Sequence, residues 1–387
     1  MTHYFSSDFK LGILGGGQLG KMLLYDTRKF DIQTYVMDAN PEAPSRLACN
    51  HFEVGSLMDY DAVMAFGKKV DVLTFEIESV NVKALEDLEA LGKKVYPSAA
   101  TLQKIQNKAV QKKFYESSHI PTADFDLFSD LKRLKEAVSE GNIKLPFVWK
   151  SSIGGYDGKG VSVIKSREQL SQLPDVECIA EALVDFKTEI AVIVSRSVSG
   201  EIKTYPVVEM EFHPEANQVE YVLCPARIDE TLAKKARELA QLVSSKFEHV
   251  GLLAIEMFVT QSDDVLVNEV APRPHNSGHF SIEGSFTNQF EQHLRAILDL
   301  PLGSTESKSH SVMVNLVGDE KHTGEVVYEG IEDIMAMPGV TPHIYGKRET
   351  RPFRKMGHVN IIHADLSEAR AIAEVVKSKI KVISKTS

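Results

Sequence analysis

Lys10–Leu23 reads KLGILGGGQLGKML, a short apolar run, a glycine turn and then an amphipathic helical pattern. Gly15-x-Gly17-x-x-Gly20 fits the dinucleotide fingerprint, whose glycines permit a tight turn, close backbone approach to a phosphate and strand–helix packing. Asp38 ends the next apolar run, IQTYVMD, about where a ribose-binding carboxylate would sit. Strand, glycine turn and helix in this order fit the start of a doubly wound parallel sheet. What the loop faces is left open by the motif alone.

Outward from this stretch, the runs LGILGG, IQTYVMD, HFEVG, VDVLTFE and KKVYPS alternate with helical segments to about residue 100. That alternation predicts a parallel sheet with helices on both faces. PSAATLQKIQNKAVQKKFYESSHIPTA then predicts one helix, capped near Ser98 and stopped by Pro121. From about residue 145 the texture becomes α+β: PFVWKSS, VSVIKS, ECIAEALV, EIAVIVSR and KTYPVVEMEF read as strands between turns and short helices. ETLAKKARELAQLVSSKF is an amphipathic helix, GLLAIEMFVTQSDDVLVNEV a hairpin, and the tail from about 301 holds short strands and a final helix, SEARAIAEVVKSKI. The chain therefore divides into three units, 1–100, 101–300 and 301–387, with no internal repeat.

The net charge of −10 argues against a general nucleic-acid surface and makes any local cluster of cations informative. No apolar run reaches membrane-spanning length, and MTHYFSSDFK lacks the layout of a signal peptide. Cys49, Cys178 and Cys224 are far apart and form no CxxC, so a reducing cytoplasm is expected rather than a disulfide framework.

Four segments carry candidate chemistry. WKSSIGGYDGKGV, Trp149–Val161, joins two strand-like runs with four glycines and two lysines. It is no Walker A loop; it reads either as a hairpin turn or as a glycine-rich lid over phosphates. The hairpin is sharper. With a turn at Gln261–Asp264, Thr260 pairs with Val265 and Glu256 falls opposite Glu269. Like charges roughly 5 Å apart across strands destabilise a sheet, and a divalent cation resolves the repulsion. Next, two prolines stiffen APRPHNSGHF, which carries Arg273, His275, Asn276 and Ser277 and suits a rigid substrate loop better than zinc at His275 and His279. Finally, YGKRETRPFRKMGHV sets Lys347, Arg348, Arg351, Arg354 and Lys355 within nine residues, a fixed anion site such as one phosphate. Lid, metal carboxylates, polar loop and phosphate clamp together indicate an ATP-dependent ligase with a second, phosphorylated substrate.

GILGGGQLGKML, TFEIESV, KSSIGGYDGKGV, NEVAPRPHNSGH and RPFRKMGHV, in this order over nearly the whole chain, resemble the N5-carboxyaminoimidazole ribonucleotide synthetases of the ATP-grasp superfamily. The resemblance implies an N-terminal doubly wound pre-ATP-grasp domain, a central ATP-grasp domain and a small β-rich C-terminal domain. It implies that ATP, bicarbonate and 5-aminoimidazole ribonucleotide give ADP, phosphate and the N5-carbamate in purine synthesis, with a homodimer typical.

Carried over by position, the resemblance assigns to ATP Lys108, Lys150, the run Glu181, Ala182, Leu183 and Val184, then Glu189, His213 and Asn268. The lid runs through Gly155, Tyr156, Asp157, Gly158, Lys159, Gly160 and Val161. Lys108 stands where the family often has arginine, which keeps the charge and loses the planar fork. Glu256 and Glu269 would hold magnesium, or manganese. Tyr156, Asp157, Arg273, His275, Asn276, Lys347, Arg351, Arg354 and Lys355 would surround the ribonucleotide and bicarbonate, with Gln18, Leu19 and Glu76 also at the ribonucleotide. The glycine loop then binds no NAD, and Asp38 becomes a helix or loop cap. The rivals are another ATP-grasp ligase acting on a phosphorylated amine, an NAD-dependent oxidoreductase, and an inactive nucleotide-binding regulator.

Overall fold

The structure is a computed structural model and describes residues 3–154, 160–214, 216 and 218–385. Its first sheet is wholly parallel, in the order β3-β2-β1-β4-β5. The strands are β1 (Lys10–Leu14), β2 (Gln33–Asp38), β3 (His51–Val54), β4 (Val72–Phe75) and β5 (Lys94–Val95). Leu11, Ile13 and Leu14 are fully buried, because helices cover both faces and leave β1 no solvated side. The chain order reverses between β1 and β4, so their carboxyl ends open the crevice where such sheets bind ligands.

The helix expected from Ser98 to Pro121 is two helices, Ala99–Gln106 and Lys108–Ser117. Ser98 caps the first, as expected. Asn107 leaves the helical conformation, with φ −113° and ψ 111°, and its side chain accepts the amides of Ala109 and Val110. An Asn that offers the backbone a competing acceptor ends one helix and starts another. The break places Lys108 in a first helical turn, its own N–H bonded to Ser152 O at 2.8 Å.

A four-stranded antiparallel sheet follows, β6-β9-β7-β8, from β6 (Phe125–Phe128), β7 (Phe147–Ser151), β8 (Val161–Ile164) and β9 (Cys178–Ala182). Beyond it β10 (Phe186–Arg196) enters a nine-stranded sheet with β11 (Ile202–Thr204), β12 (Val208–Phe212), β13 (Val219–Cys224), β14 (Gly251–Thr260), β15 (Val265–Ala271) and β16 (His310–Val317). This sheet continues past residue 300 through β16 into β20 (Lys355–His363) and β18 (Val340–Ile344). A small sheet of β17 (Gly324–Glu329), β19 (Glu349–Thr350) and β21 (Lys381–Ser384) flanks it, so the last described element is a strand and not the expected helix, Leu366–Lys379. The amphipathic helix Glu230–Phe247 packs Ala236, Ala240 and Val243 on one face of the large sheet, against Ile190, Val192 and Ile255. The opposite face carries Ala191, Ala254 and, farther along the strands, the candidate site. No helix among the described residues is long and apolar enough to cross a membrane.

Candidate active site

Glu256 on β14 stands directly opposite Glu269 on β15, as the sequence reading requires, but by a different route. The turn is one residue shorter than expected: Thr260 N–H bonds Asp264 O at 2.9 Å, and Asp263 takes φ +64°. Val259, rather than Thr260, therefore pairs with Val265. A β-bulge after Glu256 then leaves Asn268 as the extra residue and restores the expected pairing. Glu189 on β10 lies two residues from Ala191, the partner of Glu256, so three carboxylates share one sheet face.

Burial and the neighbouring carboxylates push Glu256 well above the ordinary carboxyl range, whereas Lys108 holds Glu269 well below it. Lys108 Nζ sits 2.6 Å from Glu269 Oε2. Burial pushes Glu189 up to about 7. Crowded hard oxygen donors of this kind fit a divalent cation that also takes phosphate oxygens. Glu256 keeps 15% of its side chain exposed and Glu269 42%, so the pair opens to the cleft rather than closing into the core.

Beside this pair Glu181, at the end of β9, is held between two lysines. Its Oε2 lies 2.8 Å from Lys150 Nζ and its Oε1 3.0 Å from Lys112 Nζ, all three side chains being buried. Burial alone would raise the Glu181 carboxyl; the two ammonium groups outweigh it and bring it below its ordinary value. Lys150 also donates to Asn268 Oδ1 at 2.9 Å, tying β7 to the bulge. Lys112 was not anticipated, although it follows Lys108 by one helical turn, a spacing that puts both on one helix face. Burial lowers Lys112 to about 8, and it donates to Thr122 Oγ1 at 2.6 Å. Beyond Glu181, Ala182 ends β9, and in the connection to β10 Leu183 is exposed and Val184 half-buried. Gly160 precedes β8 and Val161 opens it; Gly155, Tyr156, Asp157, Gly158 and Lys159 lie outside the described residues.

At the first sheet's crevice the glycine loop is occupied by the protein's own carboxylates. Gly17 N–H donates to Glu76 Oε1 at 2.6 Å and Gly20 N–H to Glu76 Oε2 at 2.9 Å. Gly16 N–H donates to Asp38 Oδ2 at 2.7 Å. These amides are the ones a dinucleotide pyrophosphate would need. A Cβ on Gly17 would meet Glu76 Oε1 at 2.5 Å, so the glycine admits a side chain, not a cofactor. Asp38 is a loop cap, accepting from Asn40 N as well. Gln18 and Leu19 begin the helix above this plug.

The loop after β15 bridges the units. Arg273 Nε lies 2.8 Å from Glu78 Oε1, just past β4. His275 Nδ1 accepts from Ser277 N at 3.3 Å, which turns Nε2 toward Glu256 Oε1, 3.6 Å away. Asn276 exchanges two amide hydrogen bonds with Asn315 on β16, at 2.8 and 2.9 Å. His279 points elsewhere: it is buried, with Nδ1 2.9 Å from Gln289 Nε2.

Within the basic segment the cations separate. Arg348 pairs with Glu42 at 2.6 Å, Arg354 donates to Glu349 O at 2.6 Å, and Lys347 donates to Lys355 O at 2.7 Å. Arg351 is exposed. Lys355 lies near enough for its charge to favour ionised Glu256, so this segment and the carboxylate pair share one region. Lys21 draws the first unit in, donating to Ile344 O at 3.0 Å. His213 follows β12, its ring 5.9 Å from that of Phe353.

Three family descriptions match the chain in order. They are a ribonucleotide synthetase preATP-grasp domain over residues 9–106, an ATP-grasp domain over 113–290, and a phosphoribosylaminoimidazole carboxylase C-terminal domain over 311–372. An N5-carboxyaminoimidazole ribonucleotide synthase of Bacillus subtilis (strain 168) is 38% identical over 357 residues, covering 91% of both chains. The crystal structure of N5-carboxyaminoimidazole ribonucleotide synthetase from Thermotoga maritima superposes with a TM-score of 0.89 at 40% identity, covering 97% of this chain and 100% of that one. An Aspergillus clavatus synthase in complex with ADP and 5-aminoimidazole ribonucleotide gives a TM-score of 0.87 at 33% identity, covering 96% and 98%. With its three-part fold and paired carboxylates, the chain belongs to the N5-carboxyaminoimidazole ribonucleotide synthase family of ATP-grasp ligases.

Proposed function

We propose that this protein carboxylates 5-aminoimidazole ribonucleotide at N5, consuming ATP and bicarbonate and releasing ADP and phosphate in de novo purine synthesis. The observation that carries the reading is the opposition of Glu256 and Glu269 beside Lys108 and Lys150, within reach of the charge on Lys355. A divalent cation, magnesium or manganese, would be held by Glu256 and Glu269 and would supply charge neutralisation on the transferring phosphoryl group. Lys108 and Lys150 add fixed positive charge from two different elements, so little reorganisation is needed. Glu181 holds Lys150 in place. Backbone from Glu181 to Val184, with Glu189, His213 and Asn268, completes the proposed ATP site.

Transfer of phosphate to bicarbonate gives carboxyphosphate; the amine then attacks it, or attacks carbon dioxide released in the pocket. Arg273 and His275, held by Glu78 and Ser277, would orient the bicarbonate-derived group. Asn276 acts through its pairing with Asn315. Lys347, Arg351, Arg354 and Lys355 bind the ribonucleotide phosphate, with Gln18, Leu19 and Glu76 at its other end. The proposal extends to the lid residues 155–161, a homodimer, a cytoplasmic location and unit boundaries near 100 and 300. Phosphate release from ATP with bicarbonate, measured with and without the ribonucleotide, tests it. Release that ignores the ribonucleotide would favour an ATP-grasp ligase for another phosphorylated amine.

A further inference from the structure

Behind the basic segment three imidazoles stack in a column. The ring centroids of His279 and His358 are 4.5 Å apart with planes at 21°; those of His358 and His343 are 4.5 Å apart at 14°. Phe290 closes the inner end, 6.0 Å from His279. Each ring comes from a different part of the active region. His279 follows His275 by four residues, His343 precedes Tyr345 and Lys347, and His358 follows Lys355 by three. His343 and His358 are direct partners across β18 and β20, and His358 is also the partner of Asn315.

We propose that the column of His279, His358 and His343 is a positioning device, which sets the basic segment at the register it needs against the loop carrying Arg273 and His275. Stacked planes fix separation, and the bonds at the ring edges fix rotation. Tyr345 Oη lies 3.1 Å from His358 Nδ1, and Glu283 Oε1 lies 2.9 Å from His343 Nε2. Gln289 holds both ends of the substrate loop: its Nε2 meets His279 Nδ1, and its Oε1 accepts from His275 N, each at 2.9 Å. A column of aliphatic side chains would fill the same space without fixing either coordinate. Burial, with the cations and histidines around them, keeps His279 and His358 well below the ordinary histidine range, so both are neutral and stack without mutual repulsion.

The inference rests on the proposed reaction, and one position tests it without risking the core. His358 is fully buried, whereas His343 ends the column with 19% of its side chain exposed. His343→Ala should raise KM for 5-aminoimidazole ribonucleotide about tenfold while leaving KM for ATP and the melting temperature near those of the parent. His343→Phe restores a stacking face without the bond to Glu283 and should recover most of that loss. Hydrogen exchange without substrate should show the amides of 345–355 less protected in His343→Ala only. An unchanged KM, an equal rise for both substrates, or no recovery in His343→Phe would overturn the positioning role. Should the parent show no ribonucleotide-dependent phosphate release, the proposed reaction fails; exchange at 345–355 still decides the column, and unaltered protection there refutes it.

Discussion

Glu76→Ala separates a built-in plug from a vacant cofactor loop. The Glu76 carboxylate is buried and takes two amides of the glycine turn, at 2.6 and 2.9 Å. Hydrogen bonds to a charged acceptor contribute about 1.5–3 kcal/mol each, and a buried N–H left unpaired costs a comparable amount. Burial pushes the Glu76 carboxyl above its ordinary value, so its removal also relieves a desolvation cost that offsets part of the loss. A net destabilisation of about 2–4 kcal/mol follows, or roughly 10–30 °C on the transition reporting a first unit of this size. The truncation also uncovers two convergent amides at a helix N-terminus, a site for a small anion. Formate at about ten times its dissociation constant should return about 1.4 kcal/mol to the variant and nothing to the parent. Differential scanning fluorimetry with and without formate, beside NADH titration of both proteins, reads all of this. A variant that melts with the parent and ignores formate would refute the plug; NADH binding by the parent would revive the dehydrogenase reading.

Glu269→Gln should abolish magnesium-dependent turnover in a protein with an unchanged circular dichroism spectrum, and normal turnover would remove the metal assignment. Lys355→Ala should raise KM for the ribonucleotide by about one to two orders of magnitude, the loss of one charge-assisted contact, with ATP affinity nearly unaltered by isothermal titration. Asn276→Ala and Asn315→Ala should weaken turnover alike, and the double variant should lose little more than either, because each removes the same two hydrogen bonds; additive losses would give Asn276 a direct role. Glu189, raised from 4.5 to about 7, binds a proton on folding, so it makes the ligand-free protein less stable as pH climbs between those values. Glu189→Gln should therefore flatten the melting-temperature profile from pH 5 to 8 and raise its neutral end, and an unchanged slope would count against that burial.

How much of this was legible follows from where each contact's two halves lie in the chain. The parallel sheet was, because strands covered on both faces write continuous apolar runs between glycine turns. The carboxylate pair was legible by a cancellation. The reading took a turn one residue too long and missed the bulge at Asn268, and the two displacements brought Glu256 back opposite Glu269. A period of two cannot reveal a bulge, and here the bulge residue, Asn268, is the one that receives Lys150. The break at Asn107 was hidden in the same way, inside a helical pattern that continues on both sides of it. Lys112 was within reach, one turn after Lys108, but the glutamate that gives it meaning lies 69 residues on, across another sheet. The basic segment shows the limit best. Five cations within nine residues predict an anion site as a group, yet Arg348 pairs with Glu42 and Arg354 gives one N–H to a carbonyl, partners no local spacing identifies. Charge density along a sequence locates such a site; the acceptors the fold brings to each cation decide which of them meet the substrate.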